Sequence, residues 1–350
     1  MTRIFILISI SFLVFVHLNA QTGLWSKYAD HSWDPVASDY KIESAAQLAQ
    51  LAVMVNKGNT FENKTFTLIN DIDLSAHFWI PIGEESSTPF CGIFDGNDNI
   101  IKGLEINNNK TDYPGTYSAL FGRLGGNARL QYIVLTDGEI KGGMGDGALT
   151  AALAAEVSTD DDSKPIYISN CYNHSVKVTA GSGARGGCTG GLIAAIRTSS
   201  DAEKDAFIFI ESSGNKSPVS GVSTSNFTGG VAGLVSAGNR AVIDIRDCYN
   251  CADITGSKES TGGLIGRMQA GDNGIAMLTN CKSSGKINGG DGYTGGLVGH
   301  LKATGVNSTA KIISSDVVNK ELKGNAAHTG AFVGKNEKGM LDNNSEGRNN

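Results

Sequence analysis

The sequence predicts an all-β fold: a right-handed parallel β-helix with an N-terminal capping helix. Three observations predict it. A glycine-rich phrase recurs along the chain, a β-prone segment and a polar corner follow most copies in the same order, and helical periodicity is missing from that region.

The phrase reads Thr189-Gly190-Gly191-Leu192-Ile193-Ala194, then Thr228 to Gly233, Thr261 to Gly266 and Thr294 to Gly299. A worn copy runs from Thr329 to Gly334, and two earlier ones are placed at Tyr117–Gly122 and Asp146–Ala151. The β-prone segments include Ile166–Ile168, Phe207–Ile210, Val242–Ile245 and Ile312–Ile313. Corners follow at Asn170-Cys171-Tyr172-Asn173, Asp247-Cys248-Tyr249-Asn250 and Asn280-Cys281, and a third short segment ends near glycine. Each unit is thus read as three short strands. One unit cannot bury its own apolar residues, but stacked units can, each strand pairing with its equivalent about 4.8 Å away. About eight or nine coils are expected, right-handed as parallel crossovers are.

Composition agrees. Glycine is 46 of 350 residues and proline only 6, with 40% hydrophobic residues, which argues against collagen and disorder and for many tight turns. Net charge is −6 and no basic block occurs, so nucleic acid is not an expected partner.

The ends differ from the middle. Residues 1–20 read as a secretory signal peptide, with Arg3 before an apolar run from Ile4 to Val16 and Ala20 at the cleavage site. The expectation is a secreted or cell-surface protein, with no membrane span in the mature chain. Residues 21–58 form a lead-in and a capping helix. Leu48, Ala52 and Val55 have helical spacing, Ser44 and Gln47 make a capping-box pattern, and Gly58 can end the helix. Residues 59–338 form the β-helix, and the polar tail 339–350 reads as disordered.

These residues carry a resemblance. The Gly-Gly-Leu-Val-Gly phrase with its Asn-Cys-Tyr-Asn corners resembles the GLUG-motif repeats of bacterial secreted and surface proteins. Residues 40–104 look like the lead-in to such repeats, including Trp79-Ile80-Pro81-Ile82-Gly83 and Phe94-Asp95-Gly96-Asn97. The resemblance spans roughly residues 40 to 334 and implies a pectate-lyase-like β-helix of adhesin type, without an agreed activity. Family glycines are missing at Gly147–Ala152 and Ala194-Ala195, which should loosen the register of the first coils.

Chemistry-bearing constellations are few. Cys171, Cys248 and Cys281 share one corner and should form a column. Stacked thiols are the favoured reading; a Cys248–Cys281 disulfide is the rival. Cys248-Tyr-Asn-Cys251 lacks the context of a redox or zinc motif. Two acidic loops, Asp160–Asp162 and Asp201–Asp205, fall at equivalent places in neighbouring units. They are either a calcium site or binding ledge, or two solvated loops. The histidines His31, His77, His174, His300 and His328 form no metal-binding pair along the chain. Trp25, Tyr28, Trp33 and Tyr40 could stack on sugars, but packing against the capping helix is the favoured reading. No catalytic, cofactor or metal residue is assigned. The function expected is non-enzymatic binding of an extracellular protein or glycan along a solenoid face; a polysaccharide-cutting enzyme and a structural spacer are the alternatives.

Overall fold

The computed structural model describes residues 23–33, 37–108, 115–143, 145–159, 161, 163–181, 187–199, 205–221, 225–256 and 258–342. The expected leader, Asp160, Asp162, residues 201–204 and the tail beyond Asp342 lie outside the described residues.

The chain forms a parallel β-helix. Each complete turn contributes to the same five sheets, here called A to E in chain order. In one turn, Ala241–Arg246 lies in sheet A, Tyr249–Asn250 in B, Ile254–Thr255 in C, Ser260–Gly262 in D and Ile265–Ala270 in E. Among the described residues sheet A has ten strands, B has eight, and C, D and E have seven each, so seven turns are complete. The expected three strands per turn become five for two reasons. The glycine pair bends the phrase, splitting it between sheets D and E, and the polar corner itself pairs as sheet B.

The register is continuous through the first turns, against the expected loosening. Thr150 pairs with Thr189, and Ala154 with Ile193. The phrase copy placed at Asp146 therefore lies at Thr150–Ala155, where Ala151 and Ala152 stand for the glycine pair. A register shift occurs later, between Gly187 and Cys188.

Each motif residue has a physical task. The first corner residue takes a left-handed conformation, with φ of 52° at Asn170, 55° at Asp247 and 52° at Asn280, which Asn and Asp tolerate better than most side chains. The next position is a column of Cys171, Ser213, Cys248, Cys281 and Ser315. The Cys171 N–H donates to Ser213 Oγ at 3.1 Å, Cys248 N–H to Cys281 Sγ at 3.4 Å, and Cys281 N–H to Ser315 Oγ at 3.1 Å. Each thiol or hydroxyl donates in turn to the carbonyl two residues back, as Cys248 does to Arg246 at 3.2 Å. Cys248 and Cys281 stand as free thiols, consistent with the stacked-thiol reading. Burial pushes the Cys171 thiol up to about 12, so it stays protonated.

The last corner residue is the interior ladder. Asn173 Nδ2 donates to Asn215 Oδ1 at 3.0 Å, and Asn215 Nδ2 to Asn250 Oδ1 at 2.8 Å, all three fully buried. Each amide also closes its own corner, as Asn173 does with Val176 N–H at 2.9 Å and Val176 O at 2.9 Å. The ladder reaches across the interior to the phrase: a Cβ on Gly191 would lie 2.4 Å from Asn215 Cγ, and one on Gly230 would lie 2.3 Å from Asn250 Cγ. At Gly191 and Gly230 the asparagine and the carbonyl of the next turn together fill the space a side chain would take; at Gly263 Ser283 Oγ and the Gly296 carbonyl do so. Around this ladder, Ile243, Ile245, Leu264, Ile265 and Met268 are 0% exposed in a single turn. Each contributes about 1.5–3 kcal/mol by burial, so the apolar core supplies the bulk of the stability and the ladder fixes the register.

Helix α1 (Ala45–Asn56) joins the core at the N-terminal end through Leu48, Leu51, Ala52 and Val55. Ser44 accepts the Gln47 N–H, but Gln47 Oε1 answers to Glu43 N–H at 2.7 Å rather than to Ser44, one residue off the expected capping box. Gly58 (φ 100°) closes the helix, with Gly58 N–H to Val55 O and Asn59 N–H to Met54 O. The lead-in also supplies a strand, Asp39–Ile42, which starts sheet A; Met340–Asp342 ends it.

Two outcomes are expected. Asn215→Ala removes one hydrogen bond to Asn173 on one neighbouring turn and one to Asn250 on the other, along with its own corner bonds, and should cost on the order of 2–4 kcal/mol in urea unfolding. Cys248→Ser should lie within about 1 kcal/mol of the parent, because serine already fills this position at Ser213 and Ser315. A large loss in the second variant would contradict the hydroxyl-equivalent role of the thiol.

Candidate functional site

Sheets D and E meet at the glycine bend, and their outward side chains mesh on the outside of the solenoid. One row comes from sheet D: Tyr117, Leu149, Cys188, Phe227, Ser260 and Tyr293. The facing row from sheet E is Arg123, Glu156, Ala195, Leu234, Arg267, His300 and Lys335. The backbone dictates neither row, since neither points into the core, so their chemistry varies from turn to turn.

The first part of the rows is closed. Glu156 is 8% exposed. Tyr117 OH donates to Glu156 Oε2 at 2.5 Å, and Arg197 Nε lies 3.0 Å from Oε1, with Arg123 Nε at 3.9 Å from Oε2. Burial, and then the bond to Glu156, push the Tyr117 phenol well above its usual range. The middle part is a small apolar cluster, separate from the core, that includes Leu149, Cys188 and Ala195 with Phe227 and Leu234 packed on it.

The last part is open. A cavity of about 420 Å³ is lined by residues that include Arg267, His300, Tyr293, His328 and Lys335, with Glu259 and Asp291 also in its wall. The rings of His300 and His328 each lie 5.1 Å from the Tyr293 ring. Lys335 Nζ donates to Tyr293 OH at 3.2 Å and pairs with Glu337 at 2.5 Å. The Arg267 guanidinium lies 5.3 Å over the Phe227 ring, and no carboxylate pairs with it among the described residues. His300 is 7% exposed; burial first, and the Arg267 charge second, hold its imidazole down at about 4, so it is neutral at neutral pH. Glu337, 3.4 Å from His300 Nε2, works in the opposite direction.

No family model matches the chain, and no curated protein matches it. One solved structure is similar. It is the crystal structure of a "putative immunoglobulin A1 protease" from Bacteroides ovatus, with a TM-score of 0.58 over 87% of this chain and 84% of that chain, at 19% identity. At that identity the likeness supports the β-helix fold and nothing about chemistry.

Apart from His300 and His328, the residues singled out in the sequence lie elsewhere. Trp25 is buried, with its indole N–H donating to Leu74 O at 2.9 Å. Tyr40 stacks on Phe66 at 4.6 Å, with Trp33 tilted against both, so these rings pack on a strand of sheet A, where packing against the capping helix was expected. Tyr28 is half exposed and stacks on His77 at 3.8 Å. Of the acidic loops, Asp161 accepts from Ser163 and Asp205 pairs with Arg240 at 2.8 Å. No group of three metal-ligating side chains forms among the described residues.

The open cavity is what reading along the chain missed. His300 and Lys335 are distant in sequence, but each is the sixth residue after a phrase threonine, as is Arg267. Counting within the repeat brings the three together; looking for pairs four residues apart does not.

The pH dependence follows from His300. Above about pH 6.5 both folded and unfolded imidazoles are neutral, whereas between there and about pH 4 only the unfolded one takes up a proton. Stability should therefore fall as pH drops through that window. An NMR titration should place the His300 midpoint near 4, and His300→Gln should flatten the fall in melting temperature between pH 6.5 and 4. A midpoint near 6.5 would contradict the buried, neutral ring.

Proposed function

We propose that this is a non-enzymatic, exported β-helix protein of adhesin type, which binds an acidic glycan on the outside of sheets D and E. The observation that carries the reading is Arg267: a half-buried guanidinium in an open cavity, without a carboxylate partner among the described residues. A guanidinium in that state favours a bidentate carboxylate or sulfate from a ligand. Tyr293 and the two histidine rings beside it offer flat surfaces to a sugar.

A second reading has its own support. Arg267, neutral His300, Tyr293 and Lys335 gather cation, base and hydroxyl at one place, which is what cutting an acidic polysaccharide by elimination needs. Peptide hydrolysis, raised by the name of the Bacteroides ovatus protein, has less. A serine triad needs its hydroxyl bonded to the histidine, and Ser260 Oγ, near His300 in the same cavity, makes no hydrogen bond.

The deciding experiment incubates the protein with immobilised and soluble polygalacturonate, alginate and heparin, and follows both retention and new chain ends. Retention that weakens with salt, drops roughly tenfold or more in Arg267→Ala and leaves chain length unchanged is expected. New chain ends would replace the binding reading with the eliminating one. Absence of retention on all three would remove both.

A further inference from the structure

We infer that the D–E cavity selects a sulfate ester on a sugar over a carboxylate, through Ser260 and His300 beside Arg267. Sulfate selection rests on the acidic-glycan reading of this cavity and narrows it to one class of anion. Three buried polar atoms that line the cavity have no hydrogen-bond partner: Arg267 Nε, His300 Nε2 and Ser260 Oγ. Ser260 is 1% exposed and His300 7%. Buried polar groups are ordinarily paired, so three orphans around one cavity mark contacts left for a ligand.

Register brings the three together. Arg267 and His300 are paired neighbours on sheet E, and Ser260 stands across the glycine bend on sheet D, in the row that continues to Tyr293. Each is a donor. The Phe227 ring lies over one face of the Arg267 guanidinium, which leaves its N–H edge for hydrogen bonds. The His300 ring is neutral at neutral pH and so has a single N–H. Its Nε2 lies 3.4 Å from Glu337 Oε1, and a lone pair aimed at a carboxylate would be repelled, so the proton belongs on Nε2. The Ser260 hydroxyl rotates to suit its partner.

The number and direction of these donors decide the anion. A carboxylate accepts in one plane, and a guanidinium fork alone fills its outward edge. The hydroxyl and imidazole donors, on two sheets and two turns, would then stay unpaired. A sulfate ester presents three terminal oxygens in a pyramid, one for each donor. Charge disfavours a phosphate monoester. Glu259 and Asp291 stand in the same wall and Glu337 lies beside His300, so a near-dianion meets carboxylates, whereas a sulfate ester brings one negative charge. Lys335 cannot offset the difference, since Glu337 and Tyr293 already engage it.

The test immobilises dextran sulfate and carboxymethyl-dextran, matched in charge per sugar, and measures retention of the full chain on each. Dextran sulfate should be preferred by roughly tenfold or more. Ser260→Ala, which removes one hydroxyl from the wall, should reduce that preference several-fold, toward parity, and Arg267→Ala should weaken retention on both. Equal retention of the parent chain on the two matrices would overturn sulfate selection and leave the acidic-glycan reading standing; retention on neither would remove both. A preference that persists in full in both Ser260→Ala and His300→Phe would also overturn it, because the donor set would then play no part. Sodium sulfate should displace the chain no better than sodium chloride of equal ionic strength. Displacement by sub-millimolar sulfate would overturn the sugar ester in favour of the free anion.

Discussion

Everything in this molecule depends on one constraint: each turn must present the same backbone to the next. Parallel ladders leave no freedom to slip, because a one-residue shift would turn every inward side chain outward. The buried asparagines enforce that condition from inside. Asn173, Asn215 and Asn250 each bond both to the next turn and to their own corner, so their amides are satisfied only when adjacent turns are in step. The glycines opposite are the counterpart of the same constraint, since any side chain at Gly191 or Gly230 would displace an amide. The in–out pattern of the strands already opposes a one-residue slip, and the ladder adds hydrogen bonds across three turns that only the native register satisfies.

This explains why so much of the fold was legible and where reading stopped. The repeating phrase, the corner and the helix caps are local, so they appear as letters in fixed order. What the letters do not state is direction. The glycine pair reads as part of a single strand, and only the bend it makes turns that strand into two. Alanine disguises one copy: Thr150–Ala155 keeps the register with Ala151 and Ala152 in place of the glycine pair, four residues after the Asp146-Gly147 start that its letters suggest. The cavity was illegible for a different reason. Its residues belong to successive turns, so their proximity is a property of the repeat length and not of any short motif.

The inward and outward columns show how a solenoid divides its labour. Inward columns hold to a few residue types: Ser or Thr in sheet D, and in the ladder Asn173, Asn215, Asn250 and Ser283, flanked by the apolar Leu135 and Val317. Outward columns vary freely, from Glu156 through Leu234 to His300 within one row. Variation in a row whose backbone is fixed places chemistry without altering the scaffold.

Within that freedom, electrostatics separates a structural charge from an available one. Glu156 and Arg197 neutralise each other at 3.0 Å under partial burial, with Tyr117 completing the set. Such a cluster is satisfied and has little left to offer a ligand. Arg267 sits in the same row two turns beyond Ala195, against a neutral histidine and an aromatic ring instead of a carboxylate. Lys335, the next cation along, is already engaged by Glu337 and Tyr293. The row thus passes from a cation that is spent to one that is free. An anion arriving from solvent gains most at Arg267, because there it replaces lost hydration without first breaking an existing pair.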